Sequence, residues 1–212
     1  MNPHNTLRIA QWNSRSIVTR IPELTYHANN FDIFIIAETW LTPEIQVQIK
    51  GFDVVRQDRV GRQGGGVLIL IRNSLKYRQM MVMNNCQGRL EVCAIQLFTS
   101  LGTLNIVSVY RPPSNSTINY REWSSFLTQF QGLTLLGGDF NLHDDPRTTL
   151  VEAMTDLDYV LLNSEEPTHY DLANNTESSI DLTIISSTIA LLSKWEVTSD
   201  LWGSDHYPIL YI

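Results

Sequence analysis

The sequence has little that would anchor it in a membrane or staple it covalently. Its longest apolar stretches, such as Val67–Ile71, fall far short of the roughly 20 residues that span a bilayer. The first residues, Met1-Asn2-Pro3-His4-Asn5, lack the charged and apolar regions of a secretory signal. An intracellular protein without a membrane segment is therefore expected, and the sequons at Asn115 and Asn174 then carry no weight. Only two cysteines occur, Cys86 and Cys93. That is too few for a cysteine metal site, and both are expected to be free thiols. There is no internal repeat, no low-complexity tract and no Pro/Gly/Ser linker, so residues 1–212 read as one domain. Gly61-Arg62-Gln63-Gly64-Gly65-Gly66 is not a phosphate loop, because no Gly-Lys-Ser/Thr follows it.

Basic residues are also outnumbered, and the formal net charge is −7. The charge is unevenly spread. Residues 56–89 carry Arg56, Arg59, Arg62, Arg72, Lys76, Arg78 and Arg89 against the single acid Asp58. From Asp139 to Ile212 the only bases are Arg147 and Lys194. One basic face and one acidic region would give this distribution, and so would an ordinary solvated hairpin.

What the sequence does contain is a series of short apolar strands with a few helices between them. Strands are predicted over Leu7–Trp12, Asp32–Ala37, Phe52–Gln57, Val67–Ile71, Lys76–Met83, Leu90–Phe98, Leu104–Tyr110, Leu133–Leu136, Tyr159–Leu162, Ile180–Ile185, Trp195–Thr198 and Tyr207–Ile212. Helices are predicted over Ile17–Asn30, with Ser16 as N-cap and Pro22 tolerated near the start, over Asn119–Phe130 and over Thr148–Leu157. The central strands are apolar throughout and need cover on both faces, which two packed sheets with flanking helices provide.

Polar residues recur where these strands end. Asn13, Glu38, Tyr110-Arg111 and Asp139-Phe140-Asn141 follow apolar runs. Asp181 interrupts one, and Ser204-Asp205-His206 precedes the last. Ligands in α/β sheets gather at strand ends. Each residue also has a plain structural reading: Asn13 and Asn141 suit turns, Glu38 an exposed terminus, and Tyr110 a core ring with its hydroxyl at the rim. Asp181 is harder to place that way, because a buried carboxylate needs a partner. His4 reads as terminal, and His27, His143 and His169 as structural.

In this order, the segments Trp12-Asn13, Glu38-Thr39-Trp40, Gly64-Gly65-Gly66-Val67, Val109-Tyr110-Arg111-Pro112-Pro113, Gly137-Gly138-Asp139-Phe140-Asn141, Pro167-Thr168, Ser179-Ile180-Asp181-Leu182 and Ser204-Asp205-His206 resemble the exonuclease–endonuclease–phosphatase superfamily. More narrowly, the chain resembles the apurinic/apyrimidinic-endonuclease-like domain of non-LTR retrotransposons, to which the Tyr-Arg-Pro-Pro stretch points. The resemblance implies a four-layer α/β sandwich of two mixed sheets flanked by helices. It implies a Mg²⁺-dependent endonuclease, with Mn²⁺ able to substitute, that nicks double-stranded DNA in the nucleus. It further implies a monomeric domain cut from a polyprotein with a fused reverse transcriptase.

The resemblance also assigns roles. Glu38 holds the metal with Asn13 as a weaker or water-mediated ligand, and Asp205 either faces the metal or orients His206. Asp139 deprotonates or orients the attacking water, helped by Asn141. His206 bonds the phosphate and Asp181 holds its ring. Tyr110 donates to the phosphate or the leaving group. Thr168 and Ser204 contact the DNA backbone or support the pocket. Beside the resemblance, the Gly61–Gly66 stretch reads as a turn that presents Arg59 and Arg62 to DNA, and Arg111, next to Tyr110, is expected to contact the DNA backbone. The polar loop from Tyr170 to Ser178 either enters the minor groove or is a disordered surface loop. A phosphatase acting on a small ester, an abasic-site repair enzyme and a DNA-binding module without catalysis remain as alternatives.

Overall fold

The computed structural model describes residues 6–114, 116–142 and 144–212, without the side chains of 144–146. His4, Asn115 and His143 thus lie outside the described residues. Strands β1 (Ile9–Asn13), β2 (Ile33–Ala37), β3 (Phe52–Gln57) and β4 (Val67–Arg72) lead into β5 (Tyr77–Met80), β6 (Glu91–Thr99), β7 (Gly102–Tyr110) and β8 (Leu133–Asp139). They are followed by β9 (Tyr159–Leu161), β10 (His169–Asp171), β11 (Thr176–Ser178), β12 (Asp181–Ser186), β13 (Trp195–Val197) and β14 (Ile209–Tyr211). Helices α1 (Ile21–His27), α2 (Tyr120–Leu127), α3 (Asp144–Asp156) and α4 (Ser187–Ala190) complete the chain, with short 3₁₀ turns on either side of α1. One six-stranded sheet has the order β13-β14-β1-β2-β4-β3, and the other β5-β6-β7-β8-β12-β9.

The period-2 pattern accounts for the layering. In β2, Ile33, Ile35 and Ala37 face the space between the sheets, while Phe34 and Ile36 face outward beneath Leu24 and Ala28. In β4, Val67, Ile69 and Ile71 point inward and Leu68 and Leu70 outward. The second sheet does the same: Cys93, Ile95 and Leu97 of β6 join the central layer, whereas Val92 and Ala94 pack under Trp123, Phe126 and Leu150. A strand that is buried on both faces must be apolar at every position, which is why these runs do not alternate. The result is the expected four-layer sandwich. Polar contacts also cross the central layer. Gln11 of the first sheet donates to the carbonyls of Gly138 and Leu182 in the second, and Ser108 Oγ donates to the Ile36 carbonyl.

Helix α2 starts where the sequence predicts. Asn119 and Glu122 form a reciprocal capping box. The first helix differs from expectation. Ser16 makes no capping bond and adopts φ 94°, because its N–H donates to the Glu38 carbonyl. The segment after it is broken into a 3₁₀ turn, α1 and a second 3₁₀ turn, with Pro22 in the first turn of α1. The polar stretch 170–178 is neither a disordered loop nor a bare connection. It is largely a hairpin, β10 paired with β11 in the register His169 to Ser178.

Cys86 and Cys93 are buried free thiols, as expected. Burial pushes the Cys86 thiol up to about 12 and that of Cys93 higher still. The expected basic face does not form as a unit. Arg56 pairs with Asp58, Arg59 with Glu91, Arg72 with Asp32 and Arg89 with Glu122.

Candidate active site

Strand direction explains why distant residues meet at one rim. β1 and β2 run parallel, as do β7 and β8, so Asn13, Glu38, Tyr110 and Asp139 come from strand C-terminal ends. β12 runs antiparallel to β8, and β14 antiparallel to β1. Their N-terminal ends therefore arrive at the same rim and bring Asp181 and, just before β14, Asp205 and His206. Asp181 lies directly opposite Asp139 in the register.

The backbone is bent sharply there. Arg15, Glu38, Trp40 and Asn141 all have positive φ, between 41° and 53°. Such left-handed non-glycine residues cost energy and persist only where the surroundings fix them. At Glu38 those surroundings are specific: Ser16 N–H donates to its carbonyl, and Thr39 and Trp40 N–H donate to Gly66 and Gly65. The Gly64-Gly65-Gly66 turn thus holds the Glu38 loop, a role that differs from presenting arginines to solvent.

Two connected groups result. In the first, Asn13 Nδ2 donates to Glu38 Oε1 at 3.1 Å and to Asp139 Oδ2 at 2.9 Å. Asp139 also accepts from the Asn141 backbone N–H at 2.9 Å and from Asn141 Nδ2 at 3.0 Å. Trp40 Nε1 donates to Glu38 Oε2. In the second, His206 Nδ1 lies 2.7 Å from Asp181 Oδ2, which also accepts from Thr168 Oγ1 at 2.9 Å. The His206 carbonyl accepts from Trp12 Nε1, and Ser204 Oγ donates to the Asn13 carbonyl. Asp205 pairs with Arg15, and His169 Nε2 lies 3.7 Å away from it.

The electrostatics follow from crowding four carboxylates around His206 and Arg15. Burial, then Asp181, pushes the Asp139 carboxyl up to about 8, against the pull of His206. Burial alone would lower His206. Asp181 outweighs it, with help from Asp139 and Asp205, and raises the imidazole to about 9. Burial, then Glu38 and Asp139, keeps the Tyr110 phenol protonated far above its ordinary range. Burial would also raise Asp205, but His169, His206 and Arg15 outweigh it and hold that carboxyl well below the usual carboxylate range. The pocket therefore offers oxygen donors with an excess of negative charge and a dry carboxylate that repels its neighbours. That donor chemistry fits a hard divalent cation, for which Glu38 offers a carboxylate. Asn13 does not present a ligand atom to it: its Oδ1 accepts from the Arg15 N–H and its Nδ2 donates to Glu38 and Asp139. Asp205 has no direct bond to Glu38 among the described residues and is engaged by Arg15 and the two histidines.

Several sequence expectations are corrected. Arg111 is not a surface contact. It is 4% exposed and donates to the carbonyls of Asn141, Ser114 and Ser116. Arg59 is tied to Glu91 and its guanidinium sits 5.5 Å from the Tyr110 ring centre. Arg62 is exposed. Thr168 is fully buried, and so supports Asp181 without reaching the surface. Three neighbours of the site were not singled out: Arg15, Trp40 and His169. Arg15 stands two residues after Asn13, and Trp40 closes the quoted segment Glu38-Thr39-Trp40 without a role assigned to it, which is the one sequence signal they carry. His169 was read as structural, yet it stands at the rim with its ring centre 4.5 Å from that of His206.

The burial of Arg111 has a measurable consequence. Arg111→Lys keeps the charge but cannot span the three carbonyls, so part-buried acceptors lose their donor around a buried cation. A loss of about 1–3 kcal/mol is expected, read as a lower thermal midpoint. An unchanged midpoint with weakened DNA binding would restore the surface-contact reading.

Comparison with known proteins places this geometry. Residues 104–210 match the profile of the endonuclease–reverse transcriptase family. The RNA-directed DNA polymerase from the mobile element jockey of Drosophila melanogaster is 24% identical over 98% of this chain. The match takes up 24% of that relative, so the chain spans about a quarter of its length. The endonuclease domain of TRAS1, a telomere-specific non-LTR retrotransposon, superposes with a TM-score of 0.77 at 18% identity, covering 97% of this chain and 96% of that one. An AP endonuclease from Archaeoglobus fulgidus superposes at 0.72 with 17% identity, over 98% and 99% of the two chains. With its sandwich, its rim of strand-end residues and its matching profile, the chain belongs to the endonuclease–reverse transcriptase family of the exonuclease–endonuclease–phosphatase superfamily.

Proposed function

We propose that this domain is a magnesium-dependent endonuclease that nicks one strand of double-stranded DNA and leaves a 3′-hydroxyl to prime a fused reverse transcriptase. The observation that carries the reading is the continuous chain of contacts from Glu38 through Asn13 to Asp139, opposite an Asp181–His206 pair. The family membership and the partial coverage of the jockey polymerase support it. Its site of action would be the nucleus and its form a monomer.

A phosphodiester anion resists attack until its charge is neutralised and a water is positioned. Magnesium, bound by Glu38, would supply charge neutralisation at the phosphate, and Asn13 aligns that carboxylate through Nδ2. Asp139, fixed by three donated hydrogen bonds, orients the attacking water and takes its proton, with Asn141 beside it. His206 donates from Nε2 to a phosphate oxygen. Asp181 fixes the ring through Nδ1 and favours its charged form, since an adjacent carboxylate stabilises imidazolium. Tyr110, protonated across the working range, donates to the phosphate or the leaving oxygen. The β10–β11 hairpin adjoins the site through the Tyr170 N–H bond to the Asp205 carbonyl, and its Leu172 is 77% exposed. We place it against the minor groove.

The test is conversion of supercoiled plasmid to open circles by the purified domain. Nicking with magnesium and none with EDTA is the expected result. Cleavage restricted to abasic duplexes would move the assignment to repair. An intact plasmid with hydrolysis of a small phosphate ester would replace the nuclease by a phosphatase. DNA binding without either activity would leave a binding module.

A further inference from the structure

Three ligand atoms converge at the rim, of which the proposed cleavage uses only His206 Nε2. His169 Nε2 lies 3.7 Å from Asp205 Oδ2, and His206 Nε2 lies 3.9 Å from Asp205 Oδ1. The ligand atoms of all three residues lie within 4.8 Å of one another. The other nitrogen of each ring is already held. His206 Nδ1 is 2.7 Å from Asp181 Oδ2, and His169 Nδ1 is 3.1 Å from Ser178 Oγ. Both rings therefore turn Nε2 toward one shared carboxylate. Outer partners of this kind orient metal-binding imidazoles and fix their tautomer. The placement is set by the backbone, because His169 and His206 are joined by an isolated β-bridge. The His169 and Asp205 side chains are 20% and 17% exposed, which leaves a path for an ion and its remaining water.

We propose that His169, Asp205 and His206 form a site for a borderline first-row divalent cation, of which Zn²⁺ is the type, and that filling it blocks DNA cleavage. Two imidazole nitrogens and one carboxylate suit such an ion. Magnesium favours oxygen ligands in octahedral array and does not compete well for them. Bonds of about 2.0–2.2 Å in a tetrahedral site set ligand atoms about 3.4 Å apart. The two His–Asp205 separations, 3.7 and 3.9 Å, lie close to that, and the set of three, within 4.8 Å, closes by about 1.4 Å at most. Two competitors are built in: Arg15, which pairs with Asp205, and the proton on His206 Nε2, which is released to solvent as the cation binds. Blockage rests on the reading of His206 as the phosphate-facing group, because a cation on Nε2 takes the position that the ring offers the phosphate. The binding site does not rest on that reading.

Cobalt(II) serves as the spectroscopic probe, titrated into the domain in excess magnesium. Visible bands of four-coordinate cobalt, at one ion per chain and bleached by Zn²⁺, are expected. His169→Asn should weaken binding at least about tenfold, and its nicking is read against its own zinc-free rate, because His169 opens the hairpin placed against DNA. Arg15→Ala, which frees the carboxylate, should tighten it. In the plasmid assay Zn²⁺ should inhibit the wild type, and the midpoint should rise at least about tenfold in His169→Asn. Absent cobalt bands, or bands unaltered in both variants, overturn the site, whether or not the domain nicks DNA. Cobalt binding lost in His169→Asn with zinc inhibition unchanged overturns the blocking role. An inactive wild type that binds cobalt as described counts against the nuclease reading and for the site.

Discussion

Asp139→Asn should fold normally and cleave DNA about 10²–10⁴-fold more slowly, the usual contribution of a positioned general base. The substitution is nearly isosteric, and it removes the one property the proposed reaction needs at this position, acceptance of a proton. Stability should move differently. The Asp139 carboxylate is fully buried opposite Asp181, and burial with that neighbour drives its pKa up to about 8. Its ionised form is thus held at a cost in the metal-free protein. The amide is relieved of that repulsion but offers one acceptor oxygen where Asn13 and Asn141 supply three donors. These effects oppose each other, and a net change within about 1 kcal/mol is expected. Single-turnover nicking and thermal melting on the same preparation separate them. Wild-type cleavage rates in Asp139→Asn would remove Asp139 from the mechanism, whereas a large fall in the melting midpoint would make it a structural residue.

Gly138→Ala should cost about 4 kcal/mol, enough to leave much of the protein unfolded, through backbone strain and overpacking together. Gly138 has φ 153°, a conformation that L side chains rarely adopt. A Cβ built there would stand 1.8 Å from the carbonyl oxygen of Val109, its partner in the β7–β8 pair. That oxygen belongs to a strand buried on both sides and cannot retreat. Gly88→Ala is the control. Gly88 also has positive φ, at 80°, yet no atom lies within 4 Å of its added Cβ, so only the backbone term of about 1 kcal/mol applies. Comparable denaturation midpoints for the two variants would show that the β7–β8 pair yields, and that close strand approach does not set the position of Asp139.

Most of the strand series and the layered architecture were legible, because double burial leaves an unbroken apolar run that no surface element shares. Candidate residues were legible for a related reason: Asp181 within an apolar strand and Asp139 at the end of another have no cheap structural explanation. Arg59 and Arg111 were read as surface charges because an arginine in a sequence looks exposed. The carbonyls of residues 114, 116 and 141 and the Glu91 carboxylate that hold them are assembled only by folding. The β10–β11 hairpin was missed as a pair of strands because each has three residues and neither has an apolar face. Its pairing draws on Thr168 and Ser178, and its place on the bond from Tyr170 to Asp205.

Which residue types stand at the strand ends, and the need of the strands for cover on both faces, are encoded locally, since hydrophobic burial acts on each strand. Which of those residues meet is set by folding. Strand direction and register set Asp181 across from Asp139, and the His169–His206 bridge turns two imidazoles toward one carboxylate. The physical reason is that hydrogen-bonded pairing between segments far apart in the chain fixes side-chain positions that no local preference encodes.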